Sequence, residues 1–249
     1  MNAQLAHIRR HPIKSIGGED LAKIRLAPAR RLPGDREWAV LTEAGERHAE
    51  GAEPESWLPK SCFMRGAASL PLQAISGGWQ GENIALTHPD RPPLEFDPAH
   101  QGRALLDWLA PLWPGQAPRP TRLIRGAGIW TDNKWPWISI LSLDSLAELE
   151  RRTARPLGIA RWRGNLWGEG WQAGAEAGLI GQIIRIGDTE LRVTQPIRRC
   201  EATCADTATG RADIDMVATL QQNGGDSCFG LYAEVVSGGQ ITIGDEVRT

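Results

Sequence analysis

Along roughly the first 95 residues, apolar and polar positions alternate in short runs broken by Gly, Pro or Asp, the period-2 pattern of half-buried strands. Leu5-Ala6-His7-Ile8-Arg9 is one such run, and residues 22–26, 37–41 and 83–87 are others. The period then changes. Asp97-Pro98 reads as an N-cap with proline at the first helical position, and Ala104, Leu105, Trp108 and Leu109 share one helical face. Pro111 and Pro114-Gly115 end that helix, and residues 114–120, with prolines at 114, 118 and 120, read as a linker.

Beyond the linker, residues 122–124 and 137–141 have the apolar character of buried strands. Ser142 is placed to cap a helix running through Leu146 and Leu149 to Arg152, with Asp144 near its positive end. Residues 183–186, Gly187-Asp188 and residues 191–194 read as a hairpin. Residues 229–236, Gly238-Gly239 and Ile241-Thr242-Ile243 read as a second one. The fold class expected is mainly β with a few helices (α+β). A smaller β-rich domain over residues 1–95 and a helix and linker over 96–120 lead into a strand-rich barrel over 121–249.

Composition narrows the class of function. With 28 basic and 30 acidic residues the formal charge is −2, so no nucleic acid is expected as an obligate partner. Residues 1–10 lack an apolar core followed by small cleavage residues, and no apolar run approaches the roughly 18 residues of a membrane helix. A cytoplasmic protein with no membrane association is therefore expected. Cys62, Cys200, Cys204 and Cys228 are too scattered for a disulfide scaffold and are expected to be reduced. Eleven Trp stand against three Phe and one Tyr. That excess reflects either bulky core filling or a stacking platform for a ring-shaped ligand.

Cys200 carries the clearest chemistry. Arg198 and Arg199 precede it, just beyond a predicted strand and before the turn at 206–210. Adjacent cations favour a thiolate, a soft ligand for thiophilic metals; a buried cysteine acting as a small hydrophobe is the other reading. Cys204 lies four residues on, and a C-x3-C pair with no second Cys/His pair makes a poor zinc site. Basic residues with small polar neighbours recur at strand ends. His11-Pro12-Ile13-Lys14-Ser15, followed by Gly17-Gly18, can present an ammonium, a hydroxyl and backbone N–H groups to an anion. Asp35-Arg36-Glu37-Trp38 puts Arg36 at a strand start. On an extended chain Arg161, Arg163 and Asn165 point the same way. Each is equally a surface charge or an ordinary turn. Phosphate-loop, dinucleotide-binding and nucleophile-elbow motifs are absent from the sequence.

Taken in order, these segments resemble the MOSC family. His11-Pro12-Ile13-Lys14-Ser15 is similar to the Y-P-V/I-K-S opening of the family's N-terminal barrel-like domain, and Asp35-Arg36-Glu37-Trp38 to its D-R-x-W/Y strand. Residues 140–146, Arg161-Trp162-Arg163-Gly164-Asn165 and Arg199-Cys200-Glu201-Ala202-Thr203 resemble successive signatures of the MOSC domain. Phe229-Gly230-Leu231-Tyr232 and residues 243–247 resemble its closing strands. The resemblance implies a molybdenum cofactor, a molybdopterin dithiolene plus one protein cysteine, and no pyridoxal phosphate. Carried over residue by residue, Cys200 matches the metal ligand. Lys14, Ser15 and Arg36 match cofactor-holding groups of the N-terminal domain, and Ser142, Arg163 and Asn165 those of the MOSC domain, with Arg199 and Thr203 from the ligand signature beside them. The chain is similar to the mitochondrial amidoxime-reducing component and its bacterial counterparts, which implies reduction of N-hydroxylated small molecules. Asp206, just after the ligand segment, is nominated as proton donor, against a purely structural turn role.

Three departures bear on that carry-over. Relatives often have Ser where Arg198 stands. The family's T-x-R-Q-E-P segment is degraded to Ala49-Glu50-Gly51-Ala52-Glu53-Pro54. Some bacterial relatives continue into a ferredoxin with four clustered cysteines, whereas this sequence runs to Thr249 without one, so a separate flavin or iron–sulfur protein is the expected electron donor. Two alternatives stand beside the reductase: a cofactor or persulfide carrier using Cys200, and a binding module that has kept the fold and lost the metal.

Overall fold

The computed structural model describes residues 3–49, 56–126 and 130–249. In chain order the strands and helices are β1 (Ala3–Arg10), β2 (Glu19–Leu21), β3 (Lys23–Leu26), β4 (Trp38–Thr42), α1 (Glu43–Ala49), β5 (Ser76–Gln80), β6 (Asn83–His88), β7 (Arg91–Phe96), α2 (Gly102–Leu109) and β8 (Pro120–Arg125). There follow β9 (Ile138–Ser142), α3 (Leu143–Thr153), β10 (Leu166–Glu169), β11 (Ile183–Ile186), β12 (Thr189–Arg198), α4 (Met216–Gly224), β13 (Cys228–Ser237), β14 (Gly239–Thr242) and β15 (Glu246–Arg248).

Seven strands close into a barrel in the order β10-β9-β13-β12-β11-β15-β1, with β1 returning to β10 and β2 added at its edge. Alternation builds it. On β13, Phe229, Leu231, Ala233 and Val235 are buried while the residues between them are half-buried or exposed, so one face packs inward and the other looks outward. Leu5, Ile8, Ile140, Leu166, Leu191 and Val193 meet Leu231 and Val235 in the same core. Pro196 lies on β12 beside a register shift against β13, where a missing N–H costs the ladder least.

The second unit is made of the β4–β8 pair and the β5-β6-β7 meander, packed on Leu105, Trp108 and Leu109 of α2. β4 is buried along its whole length because Trp38 and Val40 enter one core and Ala39 and Leu41 another.

Four expectations need correction. The sheets do not follow the boundaries at 95 and 121: β1 is a barrel strand and β3 pairs with β14, while β8 pairs with β4. For the same reason residues 229–243 are not a hairpin, since β14 takes β3 as its partner. The helix after Asp97 starts later, at Gly102; Asp97 Oδ1 accepts from Ala99 N–H at 2.8 Å in a preceding turn, and Ala104 faces solvent. β8 is half-buried rather than buried, because it lies at the edge of a two-stranded sheet. Among the described residues no helix is long and apolar enough to cross a membrane.

Candidate functional site

Where β1 leaves the barrel it runs straight into the second unit. Lys14 N–H donates to Trp38 O and Trp38 N–H to Pro12 O, so the 12–14 turn is stitched to β4. On the barrel side, β12 ends at Arg198, and Cys200 sits at the start of a single 3-10 turn, Glu201–Cys204. The Cys200 carbonyl accepts from Thr203 N–H at 2.9 Å and from Thr203 Oγ1 at 2.8 Å. These bonds hold the half-buried thiol at the wall of a cavity of about 250 Å³ between the two units.

That cavity is strongly cationic. Lys14, Arg36, Lys60, Arg65, Arg161, Arg163, Arg198 and Arg199 line it, against the carboxylates of Asp35, Asp132 and Glu201. Several of these charges are held in place by the fold. Lys14, 4% exposed, meets Asp132 at 2.5 Å. Arg36 Nη1 meets Asp35 at 2.5 Å, and Nη2 donates to Arg163 O at 2.8 Å. Arg161 forms a two-pronged pair with Asp213 at 2.9 and 2.8 Å. Arg163 donates to Gly17 O at 2.6 Å and to Ile13 O at 3.2 Å. Arg199 donates to Phe229 O and Trp162 O, both at 2.8 Å, and lies over the Trp162 ring.

Three cavity residues, Ser15, Arg36 and Arg163, hold positive φ of 63°, 48° and 49°, a conformation that is uncommon for side chains with a Cβ and clusters at functional sites. Arg163 corrects the extended reading of residues 161–165. It follows a 3-10 turn, Ala160–Trp162, in a left-handed conformation. Arg161 therefore turns to Asp213, while Asn165 accepts from Ser139 and donates to Arg9 O.

The charge balance is incomplete. Burial, with the charge of Arg36, pushes Arg163 down to about 9, and burial likewise pushes Arg199 down to about 10. Burial also lowers the Lys14 ammonium, partly countered by Asp132. Cations destabilised in this way are stabilised by an added anion. Two buried donors on residues that line the cavity have no partner among the described residues, Gln73 Nε2 and Trp162 Nε1. The Gln73 amide lies so close to Gly66 that a Cβ there would sit 2.1 Å from Nε2. Lys60 and Arg65 are exposed, and their side chains form no hydrogen bond or ion pair among the described residues.

Lys14, Ser15, Arg36, Arg163, Asn165, Arg199, Cys200 and Thr203 are thus brought to one cavity. Ser142 and Asp206 are not. Ser142 is 1% exposed and its hydroxyl accepts from Ser145 N–H as the cap of α3. The Asp206 carboxylate accepts from Ala208 N–H at 2.6 Å in its own turn. The degraded segment at 49–54 lies, from residue 50 on, outside the described residues. Sequence reasoning passed over Lys60, Arg65, Gln73, Trp137 and Tyr232, all of which line the cavity. Only Gln73, a polar residue inside Pro71-Leu72-Gln73-Ala74-Ile75, carried a local signal.

A closed strand-rich barrel with a cysteine at the wall of a cationic cleft is the class that this geometry defines. Residues 137–248, a little under half of the chain, match the family model described as MOSC domain. MOSC domains as a class are associated with the molybdenum cofactor. Among curated proteins none matches the chain. Among solved structures, YiiM from Geobacillus stearothermophilus is 21% identical over 45% of this chain and 52% of its own, with a TM-score of 0.36. YiiM from Escherichia coli is 22% identical over 45% and 52%, at 0.34. The YUAD protein from Bacillus subtilis is 13% identical over 99% of this chain and 94% of its own, at 0.46. The chain thus spans about half the length of the YiiM proteins that it matches.

Proposed function

We propose that the chain is a molybdenum-cofactor-dependent reductase of N-hydroxylated compounds, with Cys200 as the protein ligand to the metal. The observation that carries this reading is the placement of the Cys200 thiol in a cavity lined by eight basic side chains and three carboxylates. Such a cavity suits a ligand that combines a soft-metal site with a phosphate dianion. The unpartnered Gln73 and Trp162 donors and the destabilised Arg163 and Arg199 fit the same group.

When bound, the molybdenum centre supplies two electrons for cleavage of an N–O bond; the overall change is R–NHOH + 2e⁻ + 2H⁺ → R–NH₂ + H₂O. The chain's residues do the rest. Lys60, Arg65 and Arg198 hold the phosphate end. Arg163 and Arg199, tied to backbone carbonyls, orient the 13–17 turn and the Cys200 segment. Tyr232, whose phenol burial raises above its ordinary pKa, keeps its proton near neutral pH and donates a hydrogen bond to the N–O oxygen. A separate redox protein returns the electrons.

The test is elemental analysis for molybdenum with detection of oxidised pterin on protein from a cofactor-competent host, followed by reduction of hydroxylamines and amidoximes with a chemical electron donor. Near-stoichiometric metal and pterin with turnover support the reading. Folded protein that takes up neither overturns it, and a labile sulfur on Cys200 without pterin identifies a persulfide carrier instead.

A further inference from the structure

Most tryptophans of this chain fill cores: Trp38, Trp108, Trp130, Trp162, Trp167 and Trp171 are all buried. Trp135 is different. It is 50% exposed, the only aromatic among the exposed large hydrophobic side chains of the described residues. Its ring stacks on Trp137 at 6.0 Å and 23°, and Trp137 in turn leans on Tyr232 at 5.6 Å. Trp137 and Tyr232 line the same cavity as Cys200. Three rings therefore run in series from the surface into the site.

The series is rigidly built. Asn133 Oδ1 accepts from Trp135 N–H at 2.9 Å, and the Asn133 carbonyl accepts from Thr131 Oγ1 and from Arg31 Nη2. Trp57 Nε1 donates to Thr131 O, and Lys14 holds Asp132. The loop that presents the two tryptophans is thus pinned by Arg31, Trp57 and Lys14 from three directions. Core packing does not need an exposed indole held in this way, whereas a ligand that presents a flat π-face gains from it.

We propose that Trp135, Trp137 and Tyr232 form a stacking wall that selects flat aromatic substrates over saturated ones of the same size and charge. The wall gives an otherwise cationic cavity an aromatic side: an aromatic body lies against Trp137 and the Tyr232 ring, with its polar N–OH end at the Tyr232 hydroxyl and the charged side. This inference rests on the cavity being the substrate site, and its test separates the two claims.

The probes are benzamidoxime and its cyclohexyl analogue, both neutral and differing in ring flatness. Binding to the full chain, as purified from a cofactor-competent host, is followed by calorimetry alongside molybdenum and pterin content. The expected result is roughly ten-fold tighter binding of the aromatic probe, from ring contacts each worth roughly two- to ten-fold. Trp135→Ala should reduce that preference about three-fold, Trp137→Leu should bring it near unity, and Trp137→Phe should restore most of it, all with unchanged metal and pterin. Equal binding of the two probes by the unaltered protein overturns the wall, as does a preference that survives in both Trp135→Ala and Trp137→Leu. Loss of pterin in Trp137→Leu also overturns it, because the rings would then hold the cofactor rather than the substrate. Absence of molybdenum and pterin, with the aromatic preference intact and lost in Trp137→Leu, overturns the reductase and leaves the wall standing.

Discussion

Arg163 Nη1 donates to the Gly17 carbonyl at 2.6 Å, joining two residues 146 positions apart. This contact ties the turn before β10 to the turn after β1, and those two turns carry Arg163 itself and Lys14 with Ser15. Arg163 is therefore a structural clamp as much as a cation of the site.

Arg163→Ala removes the donor to the Gly17 carbonyl and one of two donors to the Ile13 carbonyl, which keeps Ile16 N–H. Charged hydrogen bonds to partly buried acceptors are the costly ones to remove, so the variant should lose about 2–4 kcal/mol of unfolding free energy in denaturant titration. A loss under about 0.5 kcal/mol would show that the two units are held without the clamp.

Cys200→Ser should leave stability within about 0.5 kcal/mol of the parent, since the local turn is held by the Cys200 carbonyl and not by its sulfur. Metal content should fall to background. Cys204, packed against the core containing Leu146, Trp162 and Met216, should behave oppositely: Cys204→Ala costs about 1 kcal/mol and leaves metal content unchanged. Metal analysis of the two variants side by side checks the choice of cysteine.

Stability should fall with acid in two stages. Burial first, then the charges of Arg36 and Arg163, push His11 well below its ordinary range. The unfolded chain then takes up a proton near pH ~6.5 that the fold refuses, and stability present above that pH is lost as pH falls. Burial alone would raise Asp35, but Arg36 and His11 together hold it below the usual carboxylate range. Its contribution is present above about pH 4 and is lost on further acidification. Denaturant midpoints from pH 8 to 3 measure both stages; His11→Gln should flatten the decline between about pH 7 and 5, and a flat profile in the parent would contradict the His11 argument.

Arg65→Ala should be nearly silent for stability, within about 0.5 kcal/mol, because the guanidinium is exposed and unpartnered among the described residues. Calorimetric titration with inorganic phosphate should nevertheless show affinity reduced about five-fold and a shallower dependence on salt. Unchanged affinity would place the phosphate elsewhere in the cavity.

Much of the scaffold was legible because it is local. The Ser142 cap, the inward alternation of β13 and the β11–β12 hairpin each depend on neighbours a few residues away, where side-chain period and capping chemistry decide the outcome. The failures were non-local. Nothing near Gly239-Gln240-Ile241 says that β14 will pair with β3 and leave β13, since both partners satisfy the same backbone groups. The extended reading of Arg161, Arg163 and Asn165 failed because one left-handed residue, Arg163, redirects the chain.

The sequence by itself determined the strand-rich class, the order of the motifs and the thiol flanked by two arginines, since these rest on residue type and short spacing. Only the tertiary structure decided which charges face the same space. Ser142 and Asp206 are consumed by their own turns, while Lys60, Arg65 and Gln73 reach the Cys200 cavity from distant loops. A side chain's direction is set by long-range pairing of the strands that carry it, and a single sequence does not state that pairing.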